Sequence, residues 1–110
     1  MDALAVNVVG VIQKKYPKEV PKWNKRWINS SDRWLNRTAI LFQNRWKDDT
    51  DRALLFANVD QHATHTDFFI RKAIGWSLRE LGATDPDTVQ DLVHARILSP
   101  LSVREALKNL

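Results

Sequence analysis

The stretch Asp67-Phe68-Phe69-Ile70-Arg71-Lys72-Ala73-Ile74-Gly75-Trp76-Ser77-Leu78-Arg79-Glu80-Leu81-Gly82 decides the fold. Ile70, Ala73, Ile74, Ser77, Leu78 and Leu81 recur at spacings of three and four, which on a 3.6-residue helix is a single face. That face belongs to a core. Phe69, Lys72, Trp76 and Arg79 fall on the other side, so Trp76 lies between two cations and off the main apolar stripe. Thr66-Asp67 supplies the N-cap, and Gly82 is the natural C-cap.

Outward from this helix the apolar spacing stays helical, and no segment sustains the alternation of a strand. Ala5, Val8, Val9 and Ile12 form a stripe on a helix that should end near Lys15, because Pro17 disfavours helix in the residue before it. A short helix follows from Lys18 to Ile28. Asn29-Ser30-Ser31-Asp32 caps a helix from about Arg33 to Trp46, with Leu35, Thr38, Ala39, Phe42 and Trp46 inward and Arg37 and Asn44 outward. Lys47-Asp48-Asp49-Thr50 reads as a turn before a helix ending near Gln61. Asp85-Pro86 opens one that runs to about Ile97, and Ser102 with Glu105 has the spacing of a capping box for the last.

Arg37-Thr38-Ala39-Ile40 returns as Arg71-Lys72-Ala73-Ile74 and again as Arg104-Glu105-Ala106-Leu107, at offsets of 34 and 33 residues. One helix pair per such period is the pattern of an α-solenoid. The expected fold is therefore all-α, a HEAT-like helical-repeat stack of antiparallel helix pairs, with an irregular helical bundle as the alternative. Equivalent positions in a solenoid line one surface, so Arg37 and its counterparts could form a track for a phosphate backbone. A solvated charged face is the other reading of the same arginines. For Trp76 between Lys72 and Arg79, a plate against sugar or base competes with packing on a neighbouring helix.

Composition narrows the field. The 110 residues are 44% hydrophobic and 27% charged, ordinary for a globular chain of one small domain. The net charge of +4 gives modest support to an anionic partner. With no cysteine, disulfides and thiolate zinc sites are excluded. No apolar run approaches the roughly 18 residues of a membrane helix, and Met1 to Gly10 has no basic cluster of the kind that begins a signal peptide. A cytoplasmic location is expected. His62 and His65 flank a polar turn without further ligands, so no metal site is expected there. Asn36-Arg37-Thr38 and Asn29-Ser30-Ser31 match the glycosylation pattern in a chain with no sign of secretion.

Three ordered segments carry a family resemblance: Trp34 to Gln43, Asp67 to Glu80, and Leu98-Ser99-Pro100-Leu101-Ser102-Val103-Arg104-Glu105-Ala106-Leu107-Lys108. Together they resemble the AlkD-type DNA alkylation repair enzymes, and the likeness covers essentially the whole chain. It implies a helical-repeat DNA glycosylase acting on N3- and N7-alkylated purines in double-stranded DNA, with no metal and no organic cofactor. By the same resemblance Asp2 is the catalytic carboxylate and Trp76 the aromatic contact at the lesion. Arg37 matches a phosphate-binding arginine, and Arg45 and Arg79 fall where the family has further backbone cations; Lys72, from its place beside Trp76 on the helix, is added as a DNA-binding candidate. The resemblance is to the C-terminal repeats only, since typical members are about twice as long. An apolar surface is therefore expected at the N-terminal repeat end, which leaves self-association through that end open. A non-catalytic helical-repeat module that binds DNA or a protein is the competing reading.

Overall fold

The computed structural model describes residues 3–95 and 98–108, except for the side chains of 3–7 and 48. Among these it is all-helical: α1 (Ala3–Lys15), α2 (Val20–Ile28), α3 (Arg33–Leu41), a 3-10 turn (Lys47–Asp49), α4 (Arg52–His62), α5 (Phe68–Gly82), α6 (Pro86–Ala95) and α7 (Pro100–Ala106). The odd-numbered helices pack in sequence, α1 on α3, α3 on α5 and α5 on α7, and the even-numbered ones flank them. This is a helical-repeat fold.

The repeat is visible in the core. Ala39, Ala73 and Ala106, the shared alanines of the three short motifs, are all buried. Around them the expected α5 stripe of Ile70, Ala73, Ile74, Ser77, Leu78 and Leu81 is buried without exception. Each large aliphatic side chain so enclosed contributes about 1.5–3 kcal/mol.

Polar ties repeat at the same period. Asn24 and Asn58, 34 residues apart and buried, exchange reciprocal amide hydrogen bonds at 3.0 and 2.7 Å, and Asn58 Nδ2 also donates to Ala39 O. Arg33, the first residue of α3, pairs at 3.1 Å with Asp67, the N-cap of α5. Arg52, the first residue of α4, pairs at 3.1 Å with Asp85, which also accepts from Thr88 N. Partly exposed pairs like these are worth about 0–1 kcal/mol each. Their value lies in register: each one ties a helix to its equivalent in the next repeat.

Asn36, inside the glycosylation pattern, is buried and donates to the carbonyls of Trp27, Ile28 and Ser30. It satisfies the free C-terminal end of α2, and that role explains it better than a modification site. The two histidines are likewise structural. His62 Nε2 lies 2.9 Å from Ile28 O, and His65 Nδ1 accepts from Asp67 N at 3.0 Å.

Besides α2, which starts at Val20 and not at Lys18, three boundaries differ from expectation. First, α3 stops at Leu41, five residues short of Trp46. The chain tightens there through Asn44 N→Leu41 O and Trp46 N→Gln43 O bonds, while the Gln43 amide clasps both the N–H and the carbonyl of Asp51. Second, Ser99 and not Ser102 caps α7. Pro100 fixes the first helical φ, Ser99 Oγ accepts from Ser102 N at 3.2 Å, and Ser102 Oγ donates instead to Arg71 O at 2.8 Å. Third, Gly82 remains helical and Ala83 occupies the C-cap in right-handed geometry. The expected end of α6 at Ile97 falls outside the described residues.

Candidate nucleic-acid interface

Two neighbouring surfaces on α3 and α5 carry the candidate side chains. The first lies at their N-termini. Asp67 accepts from Phe69 N and Ile70 N, which fixes the start of α5 and sets Phe68 and Phe69 outward. Trp34 and Phe69 pack at 5.5 Å between centroids. Arg33 lies over both rings, at 5.0 and 4.9 Å, and Arg37 lies over Trp34 at 5.4 Å. Lys72 sits 5.8 Å above Phe68. Cation–π contacts of this kind are worth about 0.5–1 kcal/mol at exposed sites.

Arg37 is half-buried here. Loss of solvent pushes its pKa below the ordinary arginine value, and the negative charge of Asp67 opposes that shift. Arginine stays protonated through such a change, so Arg37 remains a cation. At Asp67, loss of solvent pulls the pKa upward. Hydrogen bonds from Arg33, Ile70 and Phe69, with the Arg33 charge, outweigh it and leave the carboxyl below the usual carboxylate range.

The second surface is a cleft of about 480 Å³ between the end of α3 and the C-terminal half of α5, lined by Asn44, Arg45, Lys47, Trp76, Glu80 and Thr84. Trp76 is half-buried, and its indole Nε1 donates to Glu80 Oε1 at 3.1 Å. That bond fixes the ring relative to α5. Asn44 Nδ2 is buried with no hydrogen-bond partner, and a buried donor left unmade costs about 1–3 kcal/mol. Lys47, with φ of 51°, is the one non-glycine residue of positive φ among the described residues. Left-handed backbone costs a side-chain-bearing residue roughly 1–2 kcal/mol, and such strain concentrates where a side chain must be aimed. The cleft thus joins two cations, an unpartnered amide donor, a carboxylate and an aromatic plate. Anionic oxygens suit the two cations and the amide donor, and a base or sugar suits the ring.

The structure brings Trp76 and Arg45 together in this cleft and puts Arg37 and Lys72 in the aromatic cluster. Arg79 is engaged elsewhere: it pairs with Glu105 on α7 at 3.3 Å. Arg71, the repeat equivalent of Arg37, donates from Nε to His65 O at 2.9 Å, which holds the loop before α5. Asp2 lies outside the described residues. Glu80, Lys47 and the Arg33–Trp34–Phe69 stack are members that sequence reasoning missed. The spacing of Trp76 and Glu80, four apart on a helix, was the available signal for one of them.

A family profile described as "DNA alkylation repair enzyme" matches residues 1–110, the entire chain. The chain belongs to the DNA alkylation repair enzyme family. A solved structure, of a predicted DNA alkylation repair enzyme from Enterococcus faecalis, superposes with a TM-score of 0.87 at 34% identity over 93% of this chain. The chain spans 48% of that protein's length. No protein of curated function matches it. Within this DNA alkylation repair chain, no group of three metal-ligating side chains occurs among the described residues, and no described helix is long and apolar enough to cross a membrane.

Proposed function

We propose that this member of the DNA alkylation repair enzyme family supplies the backbone-holding repeats of an alkylpurine DNA glycosylase. The reaction is hydrolysis of the N-glycosidic bond of an N3- or N7-alkylated purine in duplex DNA, which leaves an abasic site and the free base. The observation that carries this reading is the cleft in which Trp76, Arg45, Lys47 and the unpartnered Asn44 amide converge. Arg37, Arg45 and Lys72 would pair with phosphates, and Arg79 would contribute through its remaining N–H groups. Asp2 would stabilise the cationic sugar that develops as the bond breaks, and the face of Trp76 would pack near the lesion. An alkylated purine is already cationic and leaves readily, so no metal or organic cofactor is required. Cytoplasmic action on DNA follows from this reading.

The test is single-turnover release of 7-methylguanine from methylated duplex DNA. Release by the wild-type chain that falls sharply in Asp2→Asn and Trp76→Ala supports the glycosylase. Duplex binding without release of either N3- or N7-methylated bases, by a full-length version as well as by this chain, supports the second reading, a non-catalytic repeat module. That second reading draws on the 48% coverage of the Enterococcus faecalis protein, because catalysis depends on contacts remote from the reacting bond.

A further inference from the structure

Glu105 has a partner that its place in the sequence does not suggest. Its spacing from Ser102 is that of a capping box, yet Ser99 caps α7, and the Glu105 carboxylate turns to α5, where Oε2 accepts from Arg79 Nη1 at 3.3 Å. The arginine of this pair, 29% exposed, is more enclosed than the arginines of the Arg33–Asp67 and Arg52–Asp85 pairs.

The two helices are built to bring the carboxylate there. Ser102 Oγ donates to Arg71 O at 2.8 Å and pins the start of α7 to α5. One turn further along α5, Gly75 leaves the space that Glu105 needs: a Cβ on residue 75 would stand 2.5 Å from Glu105 Cβ. One more turn on, Arg79 meets the carboxylate. Residues 71, 75 and 79, four apart, thus receive residues 102 and 105 in order.

The bond engages one nitrogen of Arg79. The rest of the planar guanidinium fork is left to serve a second acceptor. Lys72, Trp76 and Arg79 share one side of α5 at spacings of four and three, so a second acceptor for Arg79 lies beside the cation and the ring already read as contacts to a nucleic-acid backbone. A long side chain loses rotamer freedom when it is ordered on a ligand, and a partner that orders it beforehand removes that cost. The carboxylate also repels a phosphate, but across the guanidinium and at a longer distance than its contact with Arg79, so the repulsion is the weaker effect.

We propose that Glu105 is a positioning residue, which orders Arg79 for a backbone phosphate and so couples α7 to the DNA-holding side of α5. The proposal rests on the duplex-binding part of the reading above and not on base release.

Anisotropy titrations of a labelled duplex over a range of salt test it. Glu105→Gln and Glu105→Met remove the same charge and keep the length of the side chain, but only glutamine keeps an oxygen acceptor for Arg79. Glu105→Gln should bind at least as well as the wild type. Glu105→Met should bind about three- to tenfold more weakly, although a negative charge is gone. Its slope of log affinity against log salt should fall by about 0.9, as in Arg79→Gln. Added to Arg79→Gln, the Glu105→Met change should cost nothing further. Equal binding by Glu105→Gln and Glu105→Met overturns the proposal. Stronger binding or a steeper slope in Glu105→Met also overturns it, in favour of a carboxylate that only repels DNA. A loss as large without Arg79 as with it overturns it too, in favour of a role in packing alone. A wild-type chain that binds no duplex rejects the duplex-binding reading and the proposal together.

Discussion

The indole nitrogen of Trp76 and the carboxylate of Glu80 meet at 3.1 Å, one turn apart on α5. The bond ties the one tryptophan of the cleft to the helix that carries it, and its acceptor is anionic. Hydrogen bonds to charged groups are the stronger kind, and solvent at this half-buried site reduces the effect to about 1 kcal/mol. Glu80→Ala should free the ring and weaken binding of duplex DNA about three- to tenfold. Glu80→Gln, which keeps an acceptor, should recover most of the loss. Fluorescence anisotropy with labelled duplex measures both, and thermal melting should show little difference between them.

The Asn24–Asn58 pair predicts an asymmetry between single and double substitutions. Asn58→Ala strands a buried amide and should cost about 2–3 kcal/mol, since an unmade buried group loses its full solvation. Replacing both by leucine removes the polar groups together and should cost less than either single alanine variant. Urea denaturation of the three variants decides it.

Gly75 lies where α5 crosses α7. A Cβ there would stand 2.5 Å from Glu105 Cβ and 3.0 Å from Ser102 O. Alanine favours a helix over glycine by about 1 kcal/mol, yet overpacking of this kind typically costs about 1–3 kcal/mol. Gly75→Ala should therefore destabilise the chain despite its better propensity, as a lowered urea midpoint. Gly10 plays the same part where α1 meets the carbonyl of Phe42.

Asp67 and Asp85 predict the acid limit of stability. Both carboxyls are held below their ordinary values: Asp67 against an opposing loss of solvent, by Arg33 and the start of α5, and Asp85 by Thr88 first and then Arg52. A carboxyl with a depressed folded pKa adds stability that is present above its unfolded pKa, about 3.9. That stability is lost as pH falls through the folded value. The urea midpoint should fall as pH drops below about 4, and Asp67→Asn should flatten that fall.

Much of this was legible in the residues, and the exceptions share a cause. The α5 stripe could be read because its spacing and its Asp67 cap are local. So could the repeat, through the buried Ala39, Ala73 and Ala106. The end of α3 could not, because Gln43 reaches across eight residues to clasp Asp51, and nothing in the sequence near Trp46 records that contact. Ser102 matched a capping pattern, but its hydroxyl is claimed by Arg71 O from another helix. In the candidate site, Trp76 was legible from its place between Lys72 and Arg79. The cleft that surrounds it was not, because Asn44, Arg45 and Lys47 arrive from the irregular turn after α3. Arg79 and Arg45 were both read as backbone cations, and the pairing of Arg79 with Glu105 separates it from Arg45, which lines the cleft.

If the face of α3 and α5, and not positive charge in general, holds duplex DNA, cations elsewhere on the chain should matter little. The basic residues of the chain permit a direct comparison, because Lys18, Lys22 and Lys25 are exposed on or just before α2, away from the residues that line the cleft. Anisotropy titrations of a short duplex over a range of salt would compare two triple alanine variants, one at Arg37, Arg45 and Lys72 and one at Lys18, Lys22 and Lys25. Removal of each cation that neutralises a phosphate should lower the slope of log affinity against log salt by about 0.9. The first variant should lose most of its binding and about two to three units of slope, while the second should stay near wild type. Equal losses in the two variants, or a larger loss in the second, would show that general positive charge, and not the α3–α5 face, holds the duplex.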